Sequence, residues 1–478
     1  MNILNLNNIL YFCIFIQIIV RYNICADEIF LYFFDFCFVH ILMSKCEEWR
    51  TDGGSTVSLK FYLMGKTNIF LNLLIFFAIL TSLPISCKNK KNAYHHHVIP
   101  LAGTVGNYSL LNMSEYITEI RYIPLETNAS SLVGEVRKIS YENEKILIKD
   151  ASQNCFLFDT DGKLCSKIGQ FGQGPNDYIF IQEVLILDSF LFLFDQHKIL
   201  IYDTNGYLVE NINCRSIADE YNTSSRRVIP LKNDTFVMDV VSAFNHYPKA
   251  VLFETHRFNA KIIKEFPNYI ELNKSKPGYF GYEIGILYRF NDDVRVYKVI
   301  NDTIFTIDQN MEMKPAFIFD LGKYRLTLSF LENKEELRVR NNFITPDAIF
   351  ESSGHLFIEF QFKNHAPEPF EYTSYTGGVV RQVFNTKVHG VFDKTSGELI
   401  LMRQPIKGKF GFKNDIDNGP VIWPNYISSN NELVSYVNAE EFLEYYDNID
   451  NPAPQMTEIA KNLSWNDNPI VIIAKLKE

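Results

Sequence analysis

The sequence predicts an all-β fold, a six-bladed β-propeller with four-stranded antiparallel blades. Two observations carry this. The first is a repeated unit, clearest in residues 145–168 (KILIKDASQNCFLFDTDGKLCSKI) and 190–212 (FLFLFDQHKILIYDTNGYLVENI). In each copy an apolar run ends in Asp (Asp150, Asp195). A second run enters Asp-Thr-Asp/Asn-Gly (Asp159–Gly162, Asp203–Gly206), and a third follows. Asp159 and Asp203 are 44 residues apart, and Asp150 and Asp195 are 45 apart. Short strands repeating at that period mark propeller blades. The second observation is the turn chemistry, since Asp161-Gly162 and Asn205-Gly206 tolerate the positive φ that tight hairpins need. The aromatic content of 14%, with 40 Phe and 26 Tyr, also suits strands.

The first residues differ from the rest. Residues 1–63 are rich in Asn, Ile, Phe, Tyr and Cys without a period of 2 or 3.6, and read as an over-extended N-terminus that is not part of the fold. Arg21, Asp27, Glu28 and Asp35 interrupt the apolar runs there, against the rival reading of membrane spans over residues 8–43. A second start follows at Met64. Met64-Gly65-Lys66, the apolar run Ile69–Leu80 and Leu83–Cys87 have the three parts of a secretory signal, assigned to residues 64–86. The run is short for a membrane span. Ser86-Cys87 resembles a bacterial lipobox, although Pro84 stands where Leu is usual. The resemblance implies lipidation of Cys87, with residues 87–114 as a tether. Several acyl chains hold a protein on a membrane much more firmly than one. Three adjacent histidines, His95–His97, read as polar tether residues.

From Gly134 the apolar runs group in fours. Blade one takes Glu135–Tyr141, Lys145–Lys149, Cys155–Phe158 and Leu164–Ile168. Blade two takes Ile179–Leu187, Phe190–Phe194, Ile199–Tyr202 and Leu208–Ile212. Blade three takes Arg227–Leu231, Thr235–Val241, Ala250–Glu254 and Ala260–Phe266. Blade four takes Tyr282–Phe290, Val294–Ile300, Thr303–Ile307 and Pro315–Asp320. A helical segment is expected at Ser329–Arg340. Blade five takes Ala348–Glu351, His355–Phe362, Lys387–Phe392 and Leu399–Arg403. Blade six has Ile422–Ile427, Leu433–Val437 and Ile470–Leu476, with two helices inserted at Ala439–Tyr446 and Gln455–Leu463. That leaves blade six one strand short, and Tyr116–Pro124 unassigned. An open edge exposes unpaired backbone groups, so Tyr116–Pro124 is expected to close the ring as the outer strand of the last blade. The propeller then spans residues 115–478.

The net charge of −10 lacks the basic footprint of a nucleic-acid binder. Beyond Cys87 only Cys155, Cys165 and Cys214 remain, too few for a disulfide framework. Cys155 and Cys165 flank one hairpin, as a pair or as two buried thiols.

IPLET (Ile123–Thr127), the DTDGK hairpin, GQFGQGPNDY (Gly169–Tyr178), NDIDNGPVIWPNYIS (Asn414–Ser428) and NPIVIIAKLK (Asn468–Lys477) resemble a family of NHL-like, six-bladed β-propeller lipoproteins of Bacteroidota, a domain of unknown function. The resemblance covers roughly Glu115 to Glu478. It implies a cell-envelope setting, often beside polysaccharide-use and transport genes. Surface-exported lipoproteins of these bacteria tend to carry acidic residues after the lipidated Cys. Here Lys88, Lys90 and Lys91 follow, which leans toward the periplasmic face, with the cell surface as the alternative.

In a propeller, loops from one blade's outer strand to the next blade's inner strand lie on one face, around the channel mouth. Two such loops, Gly169–Tyr178 and Asn414–Pro424, carry Gly-Pro followed by an aromatic. Gly permits close approach, Pro stiffens, and an aromatic face can stack on a sugar. Tyr178 and Trp423, with Gln173, Asn176, Asp177 and Asn425, form the candidate ligand site. The competing reading makes the turns structural and packs the rings between blades. Catalytic signatures are missing: no G-x-S-x-G, H-E-x-x-H or C-x-x-C occurs. Some six-bladed propellers are calcium-dependent lactonases. A Ca²⁺ site of that kind would draw on Glu135 and Glu183, which open comparable inner strands, or on Glu283 and Asp347. The reading adopted is a membrane-anchored, non-catalytic binding or scaffold protein, with glycan or an uptake-complex component as partner. The alternatives are a metal-dependent lactonase- or lyase-like hydrolase with a channel site, and a scaffold that docks a partner through Ala439–Leu463.

Overall fold

A computed structural model describes residues 97–477, except 222–226, 233, 241–248, 257–258, 268–284, 328–341 and 377–378. Residues 1–63, the signal, Cys87, Glu283 and the whole of the expected helix at 329–340 lie outside the described residues.

The chain enters along the perimeter. Strand β1 (His97–Ile99), helix α1 (Leu101–Thr104), β2 (Tyr108–Ser109) and α2 (Met113–Tyr116) precede β3 (Ile117–Pro124). Six blades follow the predicted strands closely. Blade one is β4 (Val136–Glu142), β5 (Lys145–Asp150), β6 (Cys155–Asp159) and β7 (Leu164–Lys167). Blade two is β8 (Ile181–Leu187), β9 (Phe190–Asp195), β10 (Lys198–Asp203) and β11 (Leu208–Asn213), with α3 (Arg215–Glu220) after it. Blade three is β12 (Val228–Lys232), β13 (Thr235–Asp239), β14 (Ala250–His256) and β15 (Asn259–Phe266). Blade four is β16 (Gly285–Phe290), β17 (Asp293–Lys298), β18 (Thr303–Ile307) and β19 (Met313–Phe319). In blade five, β20 (Thr345–Glu351) and β21 (His355–Gln361) are separated from β24 (Lys387–Asp393) and β25 (Leu399–Met402) by an inserted hairpin, β22 (Phe370–Thr376) and β23 (Val379–Asn385). Blade six is β26 (Tyr426–Ile427), β27 (Glu432–Val437) and β28 (Ile470–Leu476), with α4 (Ala439–Asp447) and α5 (Pro454–Asn462) between the last two.

The ring closes as expected. β3 pairs antiparallel with β28 from Ile117↔Leu476 to Pro124↔Ile470, giving the order β26-β27-β28-β3. Residues 97–114, expected as tether, instead belong to the folded unit. β1 adds in parallel outside β19 (Val98↔Ile318), and β2 adds in parallel outside β25 (Tyr108↔Leu401). His97 stacks on Phe317, with ring centroids 5.6 Å apart, so it is part of the fold. Both additions cover an outer edge that would otherwise present unpaired backbone groups.

The apolar runs are explained by blades that bury both faces. In β5, Ile146 and Ile148 join a cluster with Val434, Val471 and Ile473 of blade six, while Leu147 joins one with Leu191 and Leu193 of blade two. Successive strand residues point to opposite faces, so a strand between two neighbours must be apolar at every position. The other interfaces repeat this. Phe192 meets Phe236 between blades two and three, and Leu231 meets Val296 between three and four. Tyr297 meets Phe360 between four and five, and Phe357 meets Leu433 between five and six. Each fully buried side chain of this size contributes about 1.5–3 kcal/mol.

The repeated Asp closes the outer hairpin. Asp159 Oδ1 accepts from the backbone N–H of Asp161 (3.0 Å) and Lys163 (2.9 Å). Asp203 does the same with Asn205 (3.0 Å) and Tyr207 (2.9 Å), and Asp308 with Asn310 and Glu312 (both 3.0 Å). Gly162 has φ +78°, and a Cβ there would lie 2.0 Å from the carbonyl oxygen of Pro124. The turn of blade one thus rests directly on the end of the closing strand. Cys155, Cys165 and Cys214 are all free thiols. Cys155 is buried, while Cys165, on the outer strand β7, is exposed.

Candidate functional site: the channel and its loop face

The first strands of the blades line a central cavity of about 820 Å³. Its wall mixes aliphatic side chains with carboxylates and basic groups, and these polar groups tie neighbouring blades. Between blades one and two, Lys138 Nζ donates to Glu183 at 2.5 Å. Between three and four, Arg227 donates to the Gly285 carbonyl (2.7 Å), and Arg289 to those of Pro230 (2.8 Å) and Leu231 (3.0 Å).

Two glutamates are built into this wall in opposite ways. Glu351, at the end of β20, is buried. Its Oε2 accepts from Arg295 Nε (2.9 Å) and the Tyr288 hydroxyl (2.9 Å). Its Oε1 accepts from Arg295 Nη2 (3.1 Å) and Lys394 Nζ (2.8 Å). Burial pushes this carboxyl up, but the charges of Arg295 and Lys394 outweigh it and hold it below the usual range. Glu142, at the end of β4, has only neutral donors: the Ser429 hydroxyl (2.5 Å), the Ser429 N–H (2.8 Å) and the Tyr426 hydroxyl (3.0 Å). Burial raises its carboxyl, and these hydrogen bonds only partly offset that.

The loop-face candidates fare differently from one another. Tyr178 is 1% exposed and packs with Leu157, Tyr202 and Leu200 between blades one and two. Trp423 is 7% exposed and stacks on His389 (4.4 Å between centroids) and Phe412 (5.6 Å) between blades five and six. Neither ring offers a face to a ligand, so the expectation that they stack on a sugar is corrected. Both lie in apolar inter-blade clusters, and burial of a ring there stabilises the ring closure more than exposure would allow. The His389 imidazole sandwiched in this stack is held neutral, its pKa pushed down to about 3 by burial and by Lys387.

The polar candidates are structural or exposed. Asp177 accepts the Gly174 N–H at 2.8 Å and so closes its own loop. Asn176 accepts from Asn211 at 3.3 Å, Gln173 is exposed, and Asn425 accepts the Ser435 hydroxyl at 3.2 Å beside the channel. The candidate calcium carboxylates are held by different cations. Glu135 pairs with Arg137 at 2.8 Å and Glu183 with Lys138. Asp347 pairs with Lys387 at 3.2 Å. Among the described residues, no group of three or more His, Cys, Asp or Glu side chains converges as a metal-ligand set.

The feature that sequence reading missed is the hairpin β22–β23. Its signal was present in FEYTSYT-GG-VVRQVFN, two β-prone runs around Gly-Gly. A second cavity, of about 760 Å³, lies between this hairpin and blade five, and Asp347 lines both cavities.

Comparison with solved structures places this architecture. A protein from Bacteroides fragilis, described as exported, is 18% identical with a TM-score of 0.57. The match covers 78% of this chain and 98% of that one. A member of the DUF4221 family from Bacteroides vulgatus is 11% identical with a TM-score of 0.46, covering 76% of this chain and 97% of that one. No curated protein matches the sequence. A family model described as a domain of unknown function, DUF4934, matches residues 96–475, from the first perimeter strand through the last blade, and the chain belongs to that family.

Proposed function

We propose that the protein is a lipid-anchored, non-catalytic binding propeller of the cell envelope, and that its ligand is a glycan or an uptake-complex component. The observation that carries this is the state of the channel carboxylates. Glu142, Glu183 and Glu351 each accept hydrogen bonds from side chains of a neighbouring blade, at 2.5–3.1 Å. Groups committed to holding blades together make a rigid, shaped wall, which suits recognition better than metal-assisted turnover. The anchor is Cys87, with the strand β1 beginning ten residues later at His97. That spacing keeps the propeller within roughly 35 Å of the lipid surface. The exported description of the Bacteroides fragilis protein accords with an envelope address.

A thermal-shift screen of the mature protein tests the reading, using EDTA, calcium and a panel of oligosaccharides. Ligands that bind the native state raise its Tm. A rise with one glycan class and indifference to EDTA supports a binding propeller. A large drop with EDTA, restored by one divalent metal, overturns it in favour of a metal enzyme. Cys87→Ser tests the anchor, since the variant should leave the membrane fraction.

A further inference from the structure

We propose that the cleft between the hairpin β22–β23 and blade five is the binding site for a neutral saccharide chain, continuous with the central channel. This rests on the binding reading above and gives it a place and a ligand class.

Position comes first. Strands alternate in direction within a blade. Loops from second to third strands therefore emerge on the same face as loops from outer strand to next inner strand. The hairpin interrupts the second-to-third connection of blade five, so it stands on the face where β20 begins. Asp347, two residues into β20, lines both the cleft and the channel. The cleft therefore adjoins the channel at the face where β20 begins.

Chemistry comes second. Tyr372 is 44% exposed, and its cross-strand neighbour Val383 also lines the cleft. The floor supplies Gln361, Asn385, Asp347 and Lys387. The C–H face of a sugar packs on an aromatic ring. Its hydroxyls both donate and accept, which matches amides that do the same. Charge favours neutrality by balance: Lys387 Nζ is shared between Glu359 (2.8 Å) and Asp347 (3.2 Å), and with Lys363 also on the lining two cations stand beside two carboxylates, so no net charge favours an anionic sugar.

Order comes third. Gln361 Nε2 donates to Asp347 Oδ2 at 3.1 Å, and Asn385 Oδ1 accepts the Lys387 N–H at 2.9 Å, so the polar groups are set before a ligand arrives. The hairpin base is rooted by a run of rings. Phe370 lies 5.9 Å from Phe410, Phe410 lies 4.8 Å from His389, and His389 lies 4.4 Å from the buried Trp423. A volume of about 760 Å³ falls within the range of small-ligand sites.

The test is calorimetric titration of the mature full-length protein with neutral malto-, xylo-, cello- and manno-oligosaccharides of two to six units. Three variants are compared: Tyr372→Ala, replacement of 370–385 by a short Gly-Ser link, and Leu187→Trp, which narrows the channel away from the cleft. The expected result is one series that binds wild type, weakens at least tenfold in Tyr372→Ala, is lost with the hairpin and survives Leu187→Trp. Binding that ignores Tyr372→Ala and the hairpin but fails in Leu187→Trp overturns the cleft while leaving the binding reading intact. Wild type that binds none of the sugars overturns the saccharide cleft and leaves the binding reading only its other ligand, an uptake-complex component. If extended β-prone peptides bind instead, in a hairpin-dependent way, the saccharide assignment is wrong and strand addition at the hairpin edge takes its place.

Discussion

Two kinds of insertion share the loop face, and they behave in opposite ways. The Gly-Pro loops, 169–178 and 414–424, are rich in motif and turn their aromatics inward, so that Tyr178 and Trp423 are buried between blades. The hairpin of blade five has no such motif, yet it leaves Tyr372 and Phe384 in the open. A stiff loop closing over a blade junction is best used to fill that junction. A two-stranded hairpin projecting from a blade has no second layer to bury its face against. Conspicuous loop chemistry here marks architecture, and the exposed aromatic surface marks the site.

The same division separates the two channel glutamates, and substituting Glu351 gives the largest expected effect. In Glu351→Gln the new amide donor must face Arg295 and the Tyr288 hydroxyl on one side, or Arg295 and Lys394 on the other. No orientation avoids placing a donor against a donor. Breaking one side of a buried ion pair costs about 3–5 kcal/mol, and two stranded cations put this variant near the upper end. Urea denaturation at neutral pH measures it. A loss below about 1 kcal/mol would mean that the network is solvated.

Trp423→Ala follows, at about 3 kcal/mol from the lost burial and the cavity between Phe412, His389 and Phe357. Tm measures it. An unchanged Tm would put Trp423 back among the ligand contacts.

Glu142→Gln is the smaller counterpart of Glu351→Gln. An amide fits its neutral partners, since the oxygen keeps the Ser429 N–H and Tyr426 hydroxyl while the nitrogen donates to the Ser429 hydroxyl. The pH signs also differ. Glu351 is held below the usual carboxyl range, so its contribution is complete above that range and is lost as pH falls through its folded value. Glu142 is raised, so its contribution is complete below the usual range and is lost as pH rises through its folded value. Stability measured from pH 3 to 7 should therefore fall off less steeply on the acid side in Glu351→Gln than in wild type, from a lower plateau. Glu142→Gln should match or exceed wild type at pH 7 and lose that margin at pH 3. Parallel curves for both variants would break the distinction.

What was legible in the sequence follows from what repeats. Blades one and two were readable because strands such as β5 are apolar at every position and because Asp159 and Asp203 close their outer hairpins in the same way. Closure by β3 was readable because an unpaired strand and a missing strand must meet. The perimeter strands β1 and β2 were not, since two or three residues of parallel pairing leave no period in HVI or YS. Trp423 and Tyr178 were misplaced for a different reason. An aromatic after Gly-Pro has the same local sequence whether it faces solvent or a neighbouring blade. Only the partner from another blade, His389 for Trp423 and Tyr202 for Tyr178, decides between them.

Tyr372→Ala should have the smallest effect on stability and the most local one. Its ring is 44% exposed on a hairpin paired to no other strand among the described residues, so little packing is lost. Surface changes of this kind stay within about 0.5 kcal/mol. The hairpin register, from Phe370↔Asn385 to Thr376↔Val379, also survives, since alanine keeps every backbone bond. The urea midpoint should coincide with that of wild type while sugar binding weakens. A shift as large as that of Trp423→Ala would mean that the hairpin face is packed in solution. The exposed and the buried aromatics would then belong to one structural class, and the cleft would lose its claim to be a site.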